Sequence, residues 1–185
     1  MYQRRIRTEA EPTHTEIELL KAKAAQYREM GADVALDAGC DMLLFYALQA
    51  VARNEPEEIE NFRDVKGAWH RLPGPEFSVG CSSSISRDML MGLFVYIWHF
   101  KRQDIAEDLW KYGVEHGWVM GTETKFGNTR TVMTPQMIGL LASIIYGLGG
   151  ADHGERNLPA VYDVAPGFVS HLTLLHIYIN SEIYG

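Results

Sequence analysis

Asp33, Asp37 and Asp41 recur every four residues, and Ser86, Arg87 and Asp88 follow one another directly. Four-residue spacing lines carboxylates up on one face of a helix. So placed, Asp37 and Asp41 read as a general acid and base or as acceptors for substrate hydroxyls. The blander reading is negative charge at a helix start, which the helix dipole favours. Arg87 and Asp88 either reach a substrate or pair with each other or across a cleft, in which case they orient helices. Between these groups lies Trp69-His70-Arg71, a ring able to stack, an imidazole able to give or take a proton, and a cation; a packed loop anchor is the competing reading. Arg130, Gln136 and His171 complete the polar set.

Other chemistries find less support. His171 and His176 are five apart and fall on different helix faces, while His116 and His153 have no second ligand at metal spacing. His99, at the end of an apolar run, reads as a dipole partner or a satisfied core histidine. H-E-x-x-H, the P-loop and G-x-G-x-x-G are absent from the sequence, so no metal and no cofactor is expected. Ser82–Ser84 lacks the G-x-S-x-G elbow, which disfavours a serine hydrolase.

The elements that must position these side chains follow from hydrophobic period. After Ser84 or Ser86, either of which can cap, Met89, Leu90, Met91, Leu93, Phe94, Val95, Tyr96, Ile97, Trp98 and Phe100 leave almost no polar face. Such a helix must be surrounded by protein. In its successor Ile105, Ala106, Leu109, Trp110 and Val114 form one stripe, opposite Asp104, Glu107, Asp108, Lys111 and Glu115. The pair is a hairpin with an inner and an outer member. A second inner helix is predicted from about residue 34 to 53, and a third after Thr134 as cap and Pro135 as first residue, stopping at Gly149 and Gly150. An outer helix is expected from a Thr13/Glu16 capping box to about Met30, with Gly31 as its stop, and a nearly uncharged helix from about Gly167 to Asn180. Residues 54–84 read as a short helix at EPEEIENF and then a long structured loop. Residues 121–133 and 150–166 read as further connections, the latter with a short extended piece at Ala160 to Tyr162.

The fold expected is therefore all-α: a polar tail over residues 1–12, then one domain over 13–185 of α/α hairpins forming about half a toroid with long structured loops. No sheet larger than a two-stranded ribbon is expected. Parallel inner helices put their N-termini on one rim. There Asp33, Asp37, Asp41, Arg87, Asp88, Thr134, Gln136, Ser170 and His171 approach one cleft, roofed by the loops carrying His70 and Arg130.

With 185 residues, 46% of them hydrophobic and 22% charged, the chain can bury a substantial core. A net charge of -7 argues against a nucleic-acid partner, which would need a basic footprint. Arg4, Arg5 and Arg7 read as a solvated tail. No apolar run reaches the ~20 residues that span a bilayer, and no signal peptide is read, so a cytoplasmic or virion-packaged protein with no membrane partner is expected. Cys40 and Cys81 are too few for a disulfide framework and read as free thiols in a reducing compartment. Half a ring leaves inner helices uncovered, and the C-terminal helix is apolar all round. A homo-oligomer or a different protein is expected to cover it.

Inner helices opening with D-x-x-x-D and S-R-D, with G-x-W-H-R-x-P on an intervening loop, resemble six-hairpin toroid glycosidases and polysaccharide lyases over residues 35 to 178. The stretch also looks like uncharacterised proteins, some phage-encoded, in which S-R-D-M precedes the same kind of hairpin. The chain departs from those toroids in having about three hairpins where six close the ring. The resemblance implies a glycan ligand. It further implies a carboxylic acid with a base or nucleophile for hydrolysis, or a His or Tyr base with Arg for elimination. The expectation is a carbohydrate-active or carbohydrate-binding protein with Asp37, Asp41, His70, Arg87 and Asp88 as catalytic candidates and Trp69, Arg71, Arg130, Gln136 and His171 as substrate-binding ones. The alternative is a non-catalytic structural or assembly protein that uses the helices as a scaffold for protein–protein contacts.

Overall fold

Ser86 starts the helix around which the others pack. Its extended backbone and side-chain oxygen, which accepts from Met89 N, cap helix α2, Arg87–Phe100, and Lys101 closes it in the left-handed region at φ 57°. The computed structural model describes residues 39–56, 58–78, 80–122 and 130–154, together with residues 172, 175, 178, 179, 182 and 183 of the C-terminal segment. Within these, a 3₁₀ turn at Gly39–Asp41 leads into α1, Met42–Arg53; α3 is Gln103–Glu115 and α4 is Pro135–Gly147. The described part is mostly helical, with one small two-stranded ribbon. The predicted helix at 13–30 and the aspartates Asp33 and Asp37 lie outside the described residues, as do His171 and the piece at 160–162.

Helix α2 packs on α1, α3 and α4. Every residue from Met89 to Phe94 is buried, and so is every residue from Tyr96 to Trp98, as an apolar circumference requires. Thr134 caps α4 by accepting from Met137 N, Pro135 takes its first position, and every residue from Gln136 to Ile145 is buried. α3 buries only Ile105, Ala106, Leu109 and Gly113, with Val114 exposed, so it is the outer member of its hairpin. α1 corrects the expectation of a second fully enclosed helix. Leu43, Ala47 and Ala50 are buried, whereas Phe45 and Leu48 are 37% and 41% exposed. α1 and α2 meet tightly at Gly92, where a Cβ would stand 2.6 Å from Leu44 Cδ1.

The connection after α3 begins and ends in a two-stranded ribbon. Strands β1, Val119–Thr122, and β2, Arg130–Val132, pair antiparallel with Val119 opposite Val132 and Thr122 opposite Arg130. Its role is to hold the segment before α2. Ser84 N donates to Thr122 O at 2.8 Å, Thr122 N to Ser84 Oγ at 2.9 Å, and Thr131 Oγ1 to Ile85 O at 2.8 Å. Gly121 permits this approach, since a Cβ there would lie 2.5 Å from Ser84 Oγ.

Cys40 and Cys81 form a disulfide across 41 positions of sequence. This corrects the reading of two free thiols: the start of α1 and the end of the long loop lie side by side, with Cα atoms 5.5 Å apart, inside the usual range for a bridge. Among the described residues no helix is long and apolar enough to cross a membrane.

Candidate functional site

Residues 59–85 carry the polar chemistry, and a few backbone bonds shape them. Ile59–Phe62 forms a 3₁₀ turn with Ile59 and Phe62 buried. The chain then doubles back: Arg63 pairs with Trp69, Asp64 N donates to Ala68 O at 2.9 Å and His70 N to Phe62 O at 2.8 Å. At the tip Gly67 has φ 88°, which favours glycine. Val65 is fully exposed there.

Asp64 organises this tip. Its Oδ1 accepts from Lys66 N at 2.8 Å and Ala68 N at 3.0 Å, leaving Oδ2 to meet His70 Nε2 at 2.9 Å. Burial pushes the Asp64 carboxyl up, but the hydrogen bonds from His70, Ala68 and Lys66 together outweigh it and hold the pKa below the usual carboxylate value. An ionised Asp64 can only accept, so Nε2 carries a proton. In the neutral imidazole Nδ1 is then a lone pair, and it faces Ser78 Oγ at 3.4 Å. Ser78 in turn donates to Ser84 O at 2.8 Å. Carboxylate, imidazole and hydroxyl thus stand in series, the hydroxyl proton resting on Ser84 O rather than on Nδ1, with the His70 and Asp64 side chains 17% and 22% exposed.

The residue before Ser78 is strained. Asn54 and Lys101, at φ 58° and 57°, are left-handed helix ends. Phe77 instead has φ 36° with ψ -95°, outside the left-handed helical well. Its amide donates to Gly74 O at 3.2 Å, its carbonyl accepts from Leu72 N at 2.7 Å, and its ring lies 4.6 Å from that of His70.

Arg71 points the other way and ties the loop to α1. Nε donates to Ser83 O at 2.7 Å and Ser83 Oγ at 3.1 Å, Nη2 to Ser83 Oγ at 2.6 Å, and Nη1 to Cys40 O at 2.9 Å and Asp41 Oδ1 at 3.0 Å. At 8% exposure this guanidinium is a clamp over the same two segments that the disulfide joins, and it is not offered to a substrate. Asp41 is correspondingly its ion-pair partner. Trp69, 2% exposed, belongs to the core and presents no open face for stacking.

The remaining candidates are dispersed. Arg87 Nε donates to Val132 O at 3.0 Å, so it braces the hairpin. Asp88 is exposed in the first turn of α2, complementing the dipole. Arg130 is exposed on β2, and Gln136 is buried in the first turn of α4. Asp37 and His171 lie outside the described residues. His99 Nε2 meets Asn54 Oδ1 at 2.9 Å, His116 stacks on Tyr112, and His153 stacks on Trp110. Among the described residues no three His, Cys, Asp or Glu side chains gather as a metal site would require.

The structure therefore pairs Arg71 with Asp41, adding Ser83 to that pair, and on the other side of the loop joins His70 to two residues outside the predicted set, Asp64 and Ser78. Asp64 carries a sequence signal: an Asp three residues before a Gly is an Asx-type turn. Ser78 carries none, since its meeting with His70 depends on how Gly74–Glu76 turns. No protein-family model, curated protein or solved structure matches the chain.

Proposed function

We propose that this chain is a carbohydrate-active protein of the hydrolase type, with His70, oriented by Asp64, as its proton-transfer group. The observation that carries the reading is the Asp64–His70–Ser78 chain: an ionised carboxylate fixes one imidazole nitrogen and leaves the other facing a hydroxyl. A base oriented by a third group is the arrangement that activates a hydroxyl or a water. The glycan part rests on the resemblance of G-x-W-H-R-x-P and S-R-D to toroid carbohydrate enzymes, and with it goes the partial α/α toroid. A panel of polysaccharides and acylated sugars tests the reading. Turnover should be lost in His70→Gln and reduced at least about 10²-fold in Asp64→Asn, with circular dichroism unchanged; full turnover in His70→Gln would sink it.

A second reading, the non-catalytic assembly protein, is favoured by Arg71, Asp41 and Trp69, which hold the loop and fill the core. On this reading the partner covers the C-terminal helix, as a second copy or as a different protein. It predicts no turnover on the panel and a stoichiometric complex in sedimentation. On either reading the Cys40–Cys81 bond favours a packaged or released protein over one working in a reducing cytosol.

A further inference from the structure

We propose that Ser78 is a nucleophile and that the bond cleaved is a carboxylic ester on a sugar, not a glycosidic bond. This rests on the reading of His70 as the proton-transfer group. Glycoside cleavage ordinarily needs two carboxyl groups flanking the bond, about 5–9.5 Å apart. Neither Asp64 nor Asp41 is available for that. Asp64 already accepts from two backbone amides and the imidazole, and Asp41 is held by Arg71. A hydroxyl, an imidazole and a carboxylate in series are instead the set for acyl transfer, which is recognised by geometry and roles rather than by chain order or motif. Here Nδ1 faces the hydroxyl and Nε2 the carboxylate; either ring nitrogen is a competent base.

Two further features fit a nucleophile. Phe77 holds a sparsely populated backbone conformation directly before Ser78, and such strain persists only where surrounding bonds impose it and gathers at working sites. The 3.4 Å separation of Ser78 Oγ from Nδ1 is longer than a productive hydrogen bond, as is common before substrate binds. Rotation of the hydroxyl away from Ser84 O turns its proton toward Nδ1, and a small shift of the Ser78 side chain brings the two atoms into hydrogen-bond range.

In the step that follows, Ser78 Oγ attacks the ester carbonyl carbon, forming a C–O bond, and its proton passes to His70 Nδ1. The tetrahedral adduct collapses by breaking the bond to the sugar oxygen, which leaves with the proton from Nδ1. Water then attacks the acyl-Ser78 ester, giving its proton to Nδ1. The carboxylic acid departs and Ser78 Oγ recovers the proton. The sum is ester plus water to acid plus sugar alcohol, with Asp64 ionised throughout.

The test uses the full chain with p-nitrophenyl acetate and a per-O-acetylated sugar, quenched in acid and mapped by peptide mass. The expected result is a burst of one p-nitrophenol per chain and one acetyl group on the peptide carrying Ser78. Ser78→Ala should abolish both, and Asp64→Asn should slow the burst at least about 10²-fold. Because Ser78 also ties the loop to Ser84, Ser78→Thr serves as the second variant: it keeps a hydroxyl that can donate to Ser84 O, so it should keep the fold and still take the acetyl group at position 78. An acetyl group found only on lysine or histidine overturns the proposal. If the polysaccharide panel is turned over in a His70-dependent, Ser78-independent way, the ester proposal fails while the hydrolase reading stands; no turnover of any substrate removes both.

Discussion

Helix α2 and the loop from Arg63 to Ile85 are neighbours held by opposite means. In α2 nearly every side chain between Met89 and Trp98 is buried and apolar, so its place is over-determined by many interchangeable contacts. The loop leans on a handful of directional bonds: the Arg71 clamp, the Cys40–Cys81 bridge, the Asp64–His70–Ser78 chain and the ribbon contacts of Ser84. Apolar burial is non-directional and scales with area. Hydrogen bonds are directional, and losing one leaves a specific group unsatisfied. Damage should therefore spread in the helix and stay local in the loop.

The largest expected effect is in the helix. Phe94→Ala removes a ring with no solvent exposure from the centre of the core and should cost about 3–5 kcal/mol. Urea unfolding followed by circular dichroism should show the loss as one transition moved to lower denaturant. If only the loop's hydrogen exchange responded, α2 would not be the common support of the other helices.

Next comes the bridge. Cys40→Ser with Cys81→Ser frees a 41-position loop in the unfolded chain and should cost about 2–4 kcal/mol. Reduction of the wild type under native conditions should have the same effect. Equal melting temperatures with and without reductant would show that Arg71 alone suffices to join the two segments.

Arg71→Met should cost less, about 2–3 kcal/mol, because Asp41 can return to water while the Ser83 and Cys40 acceptors lose charge-assisted donors. The loss should also be confined: amide protection should fall at residues 39–41 and 81–85 and barely change in α4. Uniform loss across the protein would show that loop and core unfold as one unit.

The same contrast explains what can be read from sequence. α2, α3 and α4, with Ser86 and Thr134 as caps, are legible because helix period and capping are local signals. α1 reads as fully enclosed, and period alone cannot say that Phe45 and Leu48 stay partly exposed. The ribbon at 119–132 escapes a sequence reading because its pairing is short and bulged at Met120, too brief for alternation to register. The site is legible only in parts. His70 and Arg71 stand out by type, but their partners Asp64, Ser78 and Ser83 are chosen by turns, and the disulfide by a meeting of segments 41 positions apart.

The smallest effect tests the pivot of the loop, Asp64. Its pKa is lowered in the folded protein, burial acting against it and the bonds from His70, Ala68 and Lys66 prevailing. A carboxyl with a depressed folded pKa contributes stability that is complete above its unfolded value, about 3.9, and is lost as pH falls through the lower folded value. Asp64→Asn keeps an acceptor oxygen but loses the charge, so at neutral pH it should cost only about 1 kcal/mol. That difference from wild type should be present above the unfolded carboxylate value and shrink toward zero as the wild-type carboxyl takes up its proton in acid. Asp104 is also lowered, chiefly by its hydrogen bond from Arg102, and titrates in the same direction. Both proteins should therefore be compared in an Asp104→Asn background, where urea midpoints at several acidic pH values isolate the Asp64 contribution. A difference that persists unchanged into strong acid would mean that Asp64 gains nothing from ionisation in the folded state. The imidazole would then lack the fixed negative partner that keeps Nδ1 free to face Ser78.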